Sequence, residues 1–198
     1  YYVTLCLSIV LSFYISVSMH YILYLVKKED EMKEVINTLK QFKRKKLNVY
    51  IGKGNFEELE VGFTDKLSDR DKMDMRKKFK KVKLEPPESY MELLEFSNGI
   101  NFFEYADCQI YNYDRALENT EKDYLKQGLL HFATFREDSF FLNCKKGHDG
   151  IYASMEGISD LIFLNTNLKG FIEFNLMSSF NYYWTWGRED SGSYYLKS

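Results

Sequence analysis

The chain has 198 residues, of which 45% are hydrophobic and 17% aromatic, enough apolar material for one ordinary domain with a sizeable core. It contains two prolines and no low-complexity segment, a composition that argues against long disorder. Its three cysteines, Cys6, Cys108 and Cys144, are odd in number and scattered. They predict no disulfide framework and favour a reducing, cytoplasmic compartment.

The net charge of −2 hides an uneven distribution along the chain. Residues 32–83 carry 16 lysines and arginines against 8 acidic residues, whereas residues 84–198 carry 9 against 18. Two interpretations follow: the two parts lie against each other and partly neutralise, or the acidic part presents a functional surface.

The first 26 residues contain no Asp, Glu, Lys or Arg. As a helix they would extend ~39 Å, enough to cross a bilayer core of about 30 Å, and Lys27 and Lys28 would stay on the cytoplasmic side. Alternatively, residues 1–31 come from the erroneous translation of DNA upstream of the true start codon. The chain opens with Tyr1, and the Lys-Glu-Asp stretch that precedes Met32 has purine-rich codons. Under either interpretation residues 32–198 form a single domain in the cytoplasm.

The periodicity of apolar residues predicts helices in the first half of that domain. One covers residues 32–46, a second begins at Ser68 with Asp71 completing a capping box, and a third lies between Pro86-Pro87 and Asn98-Gly99. Gly99 is expected to take a positive φ where this third helix ends. A short strand is expected at residues 47–51. The second helix carries a basic strip at residues 76–81, which suggests nucleic-acid binding or, more simply, a solvated face.

After Gly99 the apolar pattern changes to a period of two, which is typical of strands. Strands are predicted at residues 107–113, 130–135, 139–143, 151–155 and 161–164, before a last helix over 168–180 capped by Asn165 or Asn167. This order predicts an α+β fold with N-terminal helices, a central, mostly antiparallel sheet and a C-terminal helix.

The segment PESYMELLEFSNG at residues 87–99 resembles the signature of the SUKH superfamily, the Smi/Knr-like domain. The order of predicted elements from Ser68 to Phe174 is similar to that family's order and covers just over half the chain. The chain departs from the pattern with Glu85-Pro86-Pro87 in place of the usual Leu-Pro and with Ile100 where a glycine is common. The shared residues, which the resemblance makes structural, are Pro87, Tyr90, Leu94, Asn98 and Gly99.

The resemblance implies a non-enzymatic bacterial immunity protein that binds and neutralises a cognate toxin of a polymorphic or contact-dependent system. It implies no cofactor and no direct contact with nucleic acid, and a nuclease-type toxin is one candidate partner. The alternative function is a membrane-anchored regulator or scaffold of the Smi/Knr type, which binds partner proteins or anionic lipid. That alternative requires residues 1–26 to span a membrane.

An acidic surface meeting a basic toxin cleft would place the partner-binding residues on the sheet and its loops. The candidates are Glu104, Asp107, Tyr111, Tyr113, Glu137 and Asp138, with Tyr111 or Tyr113 supplying most of the affinity. The aromatic residues 182–186 are a second candidate, although core packing explains them more simply.

Few residues have a spacing typical of catalytic or metal-binding motifs. Cys144 and His148 could form half of a zinc site with Cys108 and His131, but their spacing fits the usual zinc motifs poorly. No hydrolase, metalloprotease or phosphate-loop motif occurs in the sequence. We therefore expect neither a metal nor catalytic residues.

Overall fold

The structure is a computed structural model that describes residues 32–43, 45–52, 55–103, 108–155 and 160–178. The apolar N-terminal segment, Glu104, Asp107 and the aromatic residues 182–186 lie outside these ranges. The described part of the chain has the predicted α+β fold, with helices before the main run of strands and a helix at the end.

Six helices occur within these ranges, two more than the sequence predicted. Their bounds are 32–42 for α1, Asp69–Lys81 for α2, Glu88–Phe96 for α3, Tyr113–Asn119 for α4, Lys122–Lys126 for α5 and Leu168–Met177 for α6.

The strands form one eight-stranded sheet in which each strand pairs antiparallel with the next one along the chain. Antiparallel neighbours do not need the long crossovers that parallel strands require, and this meander has none. The strands are β1 Leu47–Gly52, β2 Asn55–Phe63, β3 Ile100–Phe103, β4 Cys108–Ile110, β5 Leu129–Phe135, β6 Asp138–Asn143, β7 Ile151–Ser154 and β8 Ile162–Phe163.

The core lies between one face of the sheet and the longer helices. The ring of Phe171 on α6 lies 5.5 Å from that of Phe132, 5.3 Å from Phe135 and 4.9 Å from Phe140, measured between centroids. Tyr90 on α3 meets Phe132 edge to face at 6.0 Å. All five rings are buried, so this aromatic cluster joins α3 and α6 to β5 and β6.

The start of α2 is as predicted. Ser68 is the N-cap residue, its Oγ accepts a hydrogen bond from the Asp71 N–H, and the Asp71 carboxylate accepts one from the Ser68 N–H. This reciprocal pair satisfies N–H groups that have no partner inside the helix. Met75 and Phe79 then form the buried face of the helix.

The segment that resembles the SUKH signature forms α3 and the turn after it. Pro87 is the N-cap, so the helix begins one residue after the two prolines, and Tyr90 and Leu94 are fully buried on its inner face. The helix ends at Phe96, two residues before Asn98. The Asn98 side-chain oxygen instead accepts a hydrogen bond from the Tyr113 N–H and holds the start of α4.

Several predicted boundaries were wrong. The strand expected at residues 107–113 ends at Ile110, because the Asn112 side chain accepts a hydrogen bond from the Arg115 N–H and starts α4. The helix expected at 32–46 ends at residue 42, and Lys43 forms a bridge to Val61 on β2. The last helix, predicted to reach residue 180, ends at Met177, and its N-cap is Asn167, one of the two predicted candidates.

Gly99 has the positive φ that the sequence predicted, at +122°. A Cβ atom there would lie 3.2 Å from the backbone nitrogen of Asn112 and 3.4 Å from the carbonyl oxygen of Ile110. We expect Gly99→Ala to lower the free energy of unfolding by about 2 kcal/mol, because both the dihedral angle and the close backbone oppose a side chain. Urea denaturation measures this loss.

Gly147 provides the matched control for that substitution. Its φ is +79°, but no atom lies within 4 Å of the position that a Cβ atom would take, so Gly147→Ala should lose only about 1 kcal/mol. Equal losses at the two positions would show that the backbone around Gly99 does not oppose a side chain.

Candidate functional site

The sheet face opposite the aromatic core cluster carries a row of rings across four strands. His131 on β5 pairs with Phe141 on β6, which pairs with Tyr152 on β7, which pairs with Phe163 on β8. The rings of His131 and Phe141 stack at 5.0 Å, and those of Tyr152 and Phe163 lie 5.2 Å apart. We call these four residues the aromatic row.

A second row of small polar side chains runs beside the aromatic row on the same face. Gln109 on β4 pairs with Thr134 on β5, and this line continues through Ser139 on β6 and Ser154 on β7. All four side chains are partly exposed. We call them the polar row; together the two rows present ring surfaces next to hydroxyl and amide groups.

A bulge in β5 brings the two rows onto one face. The register between β5 and β6 shifts between His131 and Ala133, so Phe132 is the extra residue. Phe132 turns into the core, and His131 and Thr134 then lie on the same side although three positions separate them. Without the bulge one of them would face the core.

Helices α4 and α5 border this face. The Arg115 guanidinium lies 4.5 Å from the centre of the Tyr111 ring and donates a 2.8 Å hydrogen bond to the Gln109 side chain. Tyr124 on α5 lies against Phe141 with ring centres 4.6 Å apart. These contacts hold Gln109 of the polar row in place and cover Phe141 of the aromatic row, which is only 5% exposed.

Phe163 is the most exposed member of the aromatic row, with 53% of its surface accessible. It lies over Gly150, where a Cβ atom would come within 2.7 Å of its ring. The missing side chain at Gly150 therefore makes room for the ring. A large apolar side chain this exposed, next to other rings, is typical of a surface that contacts another molecule.

The two tyrosines among the partner-binding candidates proposed from sequence are buried. Tyr111 and Tyr113 are only 6% and 5% exposed. The Tyr111 hydroxyl hydrogen-bonds to Thr134, and the Tyr113 hydroxyl donates to Asp74 at 3.4 Å. Both rings therefore have positions inside the domain that leave little surface for a partner.

The four acidic candidates differ in exposure where the structure describes them. Glu137 is exposed in the turn between β5 and β6, whereas its neighbour Asp138 is buried. Glu104 and Asp107 lie outside the described ranges. Two other carboxylates, Glu118 and Glu121, are exposed near the helical border of the face, and they form no ion pair with a residue that the structure describes.

Sequence reasoning missed the exposed ring of Phe163, the partly exposed ring of Tyr152, and Tyr124, which lies against Phe141. Alternation did mark residues 139–143 and 151–155 as strands, but it does not tell which side of a strand faces the core. Tyr124 and Arg115 belong to short helices that the sequence did not predict.

Ion pairs join the basic and acidic parts of the chain. Lys72 lies 3.1 Å from Glu95, Lys78 lies 2.8 Å from Asp114, and Lys169 lies 3.6 Å from Glu34. Hydrogen bonds to Asp114 and Asp74 raise the pKa of Lys78. The two parts therefore partly neutralise each other, although exposed pairs of this kind contribute little to stability.

The four residues considered as zinc ligands have different environments. Cys108 and Cys144 are buried and form no disulfide, and burial raises the pKa of Cys144, which keeps its thiol protonated. His148 is exposed in the β6–β7 connection, while His131 belongs to the aromatic row. Over the described ranges, no three His, Cys, Asp or Glu side chains group as metal ligands would, and no helix there is long and apolar enough to cross a membrane.

His131 titrates in an apolar setting. Its ring lies between those of Phe141 and Tyr111, and its Nε2 is 3.4 Å from the Thr134 hydroxyl. Burial lowers its pKa below the ordinary 6.5, and the nearby Arg115 charge lowers it further. His131 therefore binds a proton more weakly in the folded chain than in the unfolded chain.

The stability of the fold should follow this difference. The contribution of His131 should be constant around pH 7 and above, and it should decrease as the pH falls through about 6.5 toward the lowered pKa, because only the unfolded state is then protonated at this histidine. We expect His131→Phe to show a smaller fall in melting temperature between about pH 7.5 and 5.5 than the parent chain. The exposed His148 gives the control: His148→Gln should keep the parent's full decrease, and an unchanged decrease in His131→Phe would contradict the assignment.

Comparison with protein-family models finds no match to this chain, and comparison with curated proteins finds none either. The resemblance of residues 87–99 to the SUKH signature thus stays a prediction that rests on those residues and on the order of the elements around them.

Proposed function

We propose that this protein is a non-enzymatic immunity protein that binds and neutralises a protein toxin, and that the aromatic and polar rows form the binding surface. The observation that carries the proposal is the line of rings on the sheet face opposite the core, in which Phe163 is exposed and His131 and Tyr152 are partly exposed. The resemblance to the SUKH superfamily supplies the class of partner.

The chemistry of the two rows suits contact with a folded protein. Aromatic side chains dominate the energetically important centres of protein interfaces, and polar groups around them provide hydrogen bonds. Tyr152 combines both properties, since its ring belongs to the aromatic row and its phenol oxygen can donate or accept a hydrogen bond. The sheet also holds these side chains on rigid backbone, which lowers the entropy lost on binding.

Carboxylates near both ends of this surface favour a basic partner. Glu118 and Glu121 are exposed on the side of α4 and α5, and Glu137 is exposed in the turn that joins the polar-row strands β5 and β6. Complementary charge raises the rate of association with a basic surface such as the cleft of a nuclease-type toxin. Of the acidic sheet surface expected from sequence, only Glu137 belongs to this arrangement, since Asp138 is buried and Glu104 and Asp107 lie outside the described ranges.

A cytoplasmic location belongs to the same proposal. Cys108 and Cys144 are both buried and neither forms a disulfide, as expected in a protein that works under reducing conditions. An immunity protein that acts on a toxin inside the cell would meet it in this compartment.

Replacement of exposed rings tests the proposed surface. We expect Tyr152→Ala and Phe163→Ala each to weaken binding of the toxin encoded beside this protein by at least about tenfold, because each removes a ring from the centre of the contact. Calorimetry measures the affinity, and survival of cells that express both proteins measures protection.

Met73 on α2 supplies the matched control, since it is 75% exposed and lies outside both rows. Met73→Ala should keep affinity and protection, and the melting temperature of all three variants should be measured to exclude unfolding. Full protection by a folded Tyr152→Ala, Phe163→Ala double variant would show that the toxin binds elsewhere or that the protein has another function.

A further inference from the structure

A cleft of about 550 Å³ lies between the end of α2 and the start of α3, and it shares no residue with the aromatic or polar row. Phe79, Leu84 and Met91 form its apolar floor. Arg76, Lys80 and Lys83 line it with positive charge.

Lys83 holds an unusual backbone conformation at the edge of this cleft. Its N–H donates to the Lys80 carbonyl and the N–H of Leu84 donates to the Phe79 carbonyl, a pair of bonds that closes α2 as a Schellman motif. The residue at this position needs a left-handed conformation and is usually glycine, but Lys83 takes it with φ at +60°. A lysine therefore occupies a strained position where glycine would be more stable.

The charges around the cleft are only partly neutralised. Lys80 and Lys83 are exposed and form no ion pair within the described part of the chain, while Arg76 lies 3.5 Å from Glu95. Glu85 and Glu88 also line the cleft. The cleft thus offers cations on the side of α2 and carboxylates on the side of α3.

A smaller cavity of about 180 Å³ continues the cleft toward the β6–β7 connection. The two cavities share Glu85 and Pro86, and the smaller one is also lined by Lys146 and His148. The pair of cavities forms one groove across Pro86. The cations of α2 lie at one end, and the other end is mixed in charge, because Asp149 lines it beside Lys146 and His148. A groove of this extent suits a chain segment rather than a single ion.

We propose that this groove binds an extended acidic peptide segment of a partner protein. The acidic side chains of the segment would meet Lys80 and Lys83, its backbone N–H groups would donate to Glu85 and Glu88, and an apolar side chain would lie over the floor.

Nucleic acid fits the same groove less well. Every phosphate of a nucleic-acid backbone is charged, so a strand along the groove would place phosphates beside Glu85, Glu88 and Asp149. A peptide can place acidic side chains only at Lys80 and Lys83 and uncharged ones beside the carboxylates. Lys72 and Lys78, which would extend a phosphate-binding strip along α2, are engaged with Glu95 and Asp114. A peptide can use both signs of charge in the groove.

The substitution Lys83→Gly separates binding from stability. It removes a cation from the groove and places glycine at a left-handed position, so the melting temperature should rise by roughly 3 °C while binding weakens. The probe is a fluorescein-labelled short peptide of alternating glutamate and leucine, followed by fluorescence anisotropy with the 198-residue chain. We expect Lys83→Gly to weaken binding roughly three- to fivefold, and a Lys80→Ala, Lys83→Gly double variant to weaken it by about tenfold or more.

Lys77→Ala is the matched control, because Lys77 is an exposed lysine of the same helix that does not line the groove. It should bind the peptide like the parent chain, and so should Tyr152→Ala, which tests the sheet surface separately. A counterpart peptide with glutamine in place of glutamate should bind at least about fivefold more weakly.

Three results would overturn the proposal. They are failure of the acidic peptide to bind, equal losses in Lys77→Ala and Lys83→Gly, and tighter binding of a single-stranded oligothymidine that Lys83→Gly abolishes. The last result would assign the groove to nucleic acid instead.

Discussion

The contact of Phe171 with the rings of Phe132, Phe135 and Phe140 decides how the sheet is used. Exposing the large apolar surface of these rings to water would be unfavourable, so they are buried beneath α6. Their burial assigns one face of β5 and β6 to the core. The alternation of side chains then places His131, Phe141, Tyr152 and Phe163 on the other face. The proposed binding surface is therefore a consequence of the packing of α6.

The bulge at Phe132 reconciles two demands on β5. The core needs Phe132 and Phe135 on its side, although an odd number of positions separates them and a regular strand would place them on opposite faces. One extra residue corrects the alternation, and it also aligns His131 with Thr134. A change in strand length here would alter the core and the candidate site together.

Features governed by local interactions were predictable from the sequence, and those governed by distant ones were not. The capping box at Ser68, the N-cap at Asn167 and the positive φ of Gly99 each depend on a few neighbouring residues, and all three were predicted correctly. Strand β2 was missed because its pairing with β1 and β3 is what defines it. The aromatic row was missed because its members come from four strands, and only the register brings them together.

The meander topology also determines which surfaces the nascent chain exposes during synthesis. Each strand pairs with the one made just before it, so the sheet can assemble while the ribosome is still adding residues. Helix α6, however, begins only at Leu168, after the last described strand. Until α6 emerges from the ribosome, the core-facing rings of Phe132, Phe135 and Phe140 are uncovered. The nascent chain then exposes an apolar surface that a chaperone would recognise.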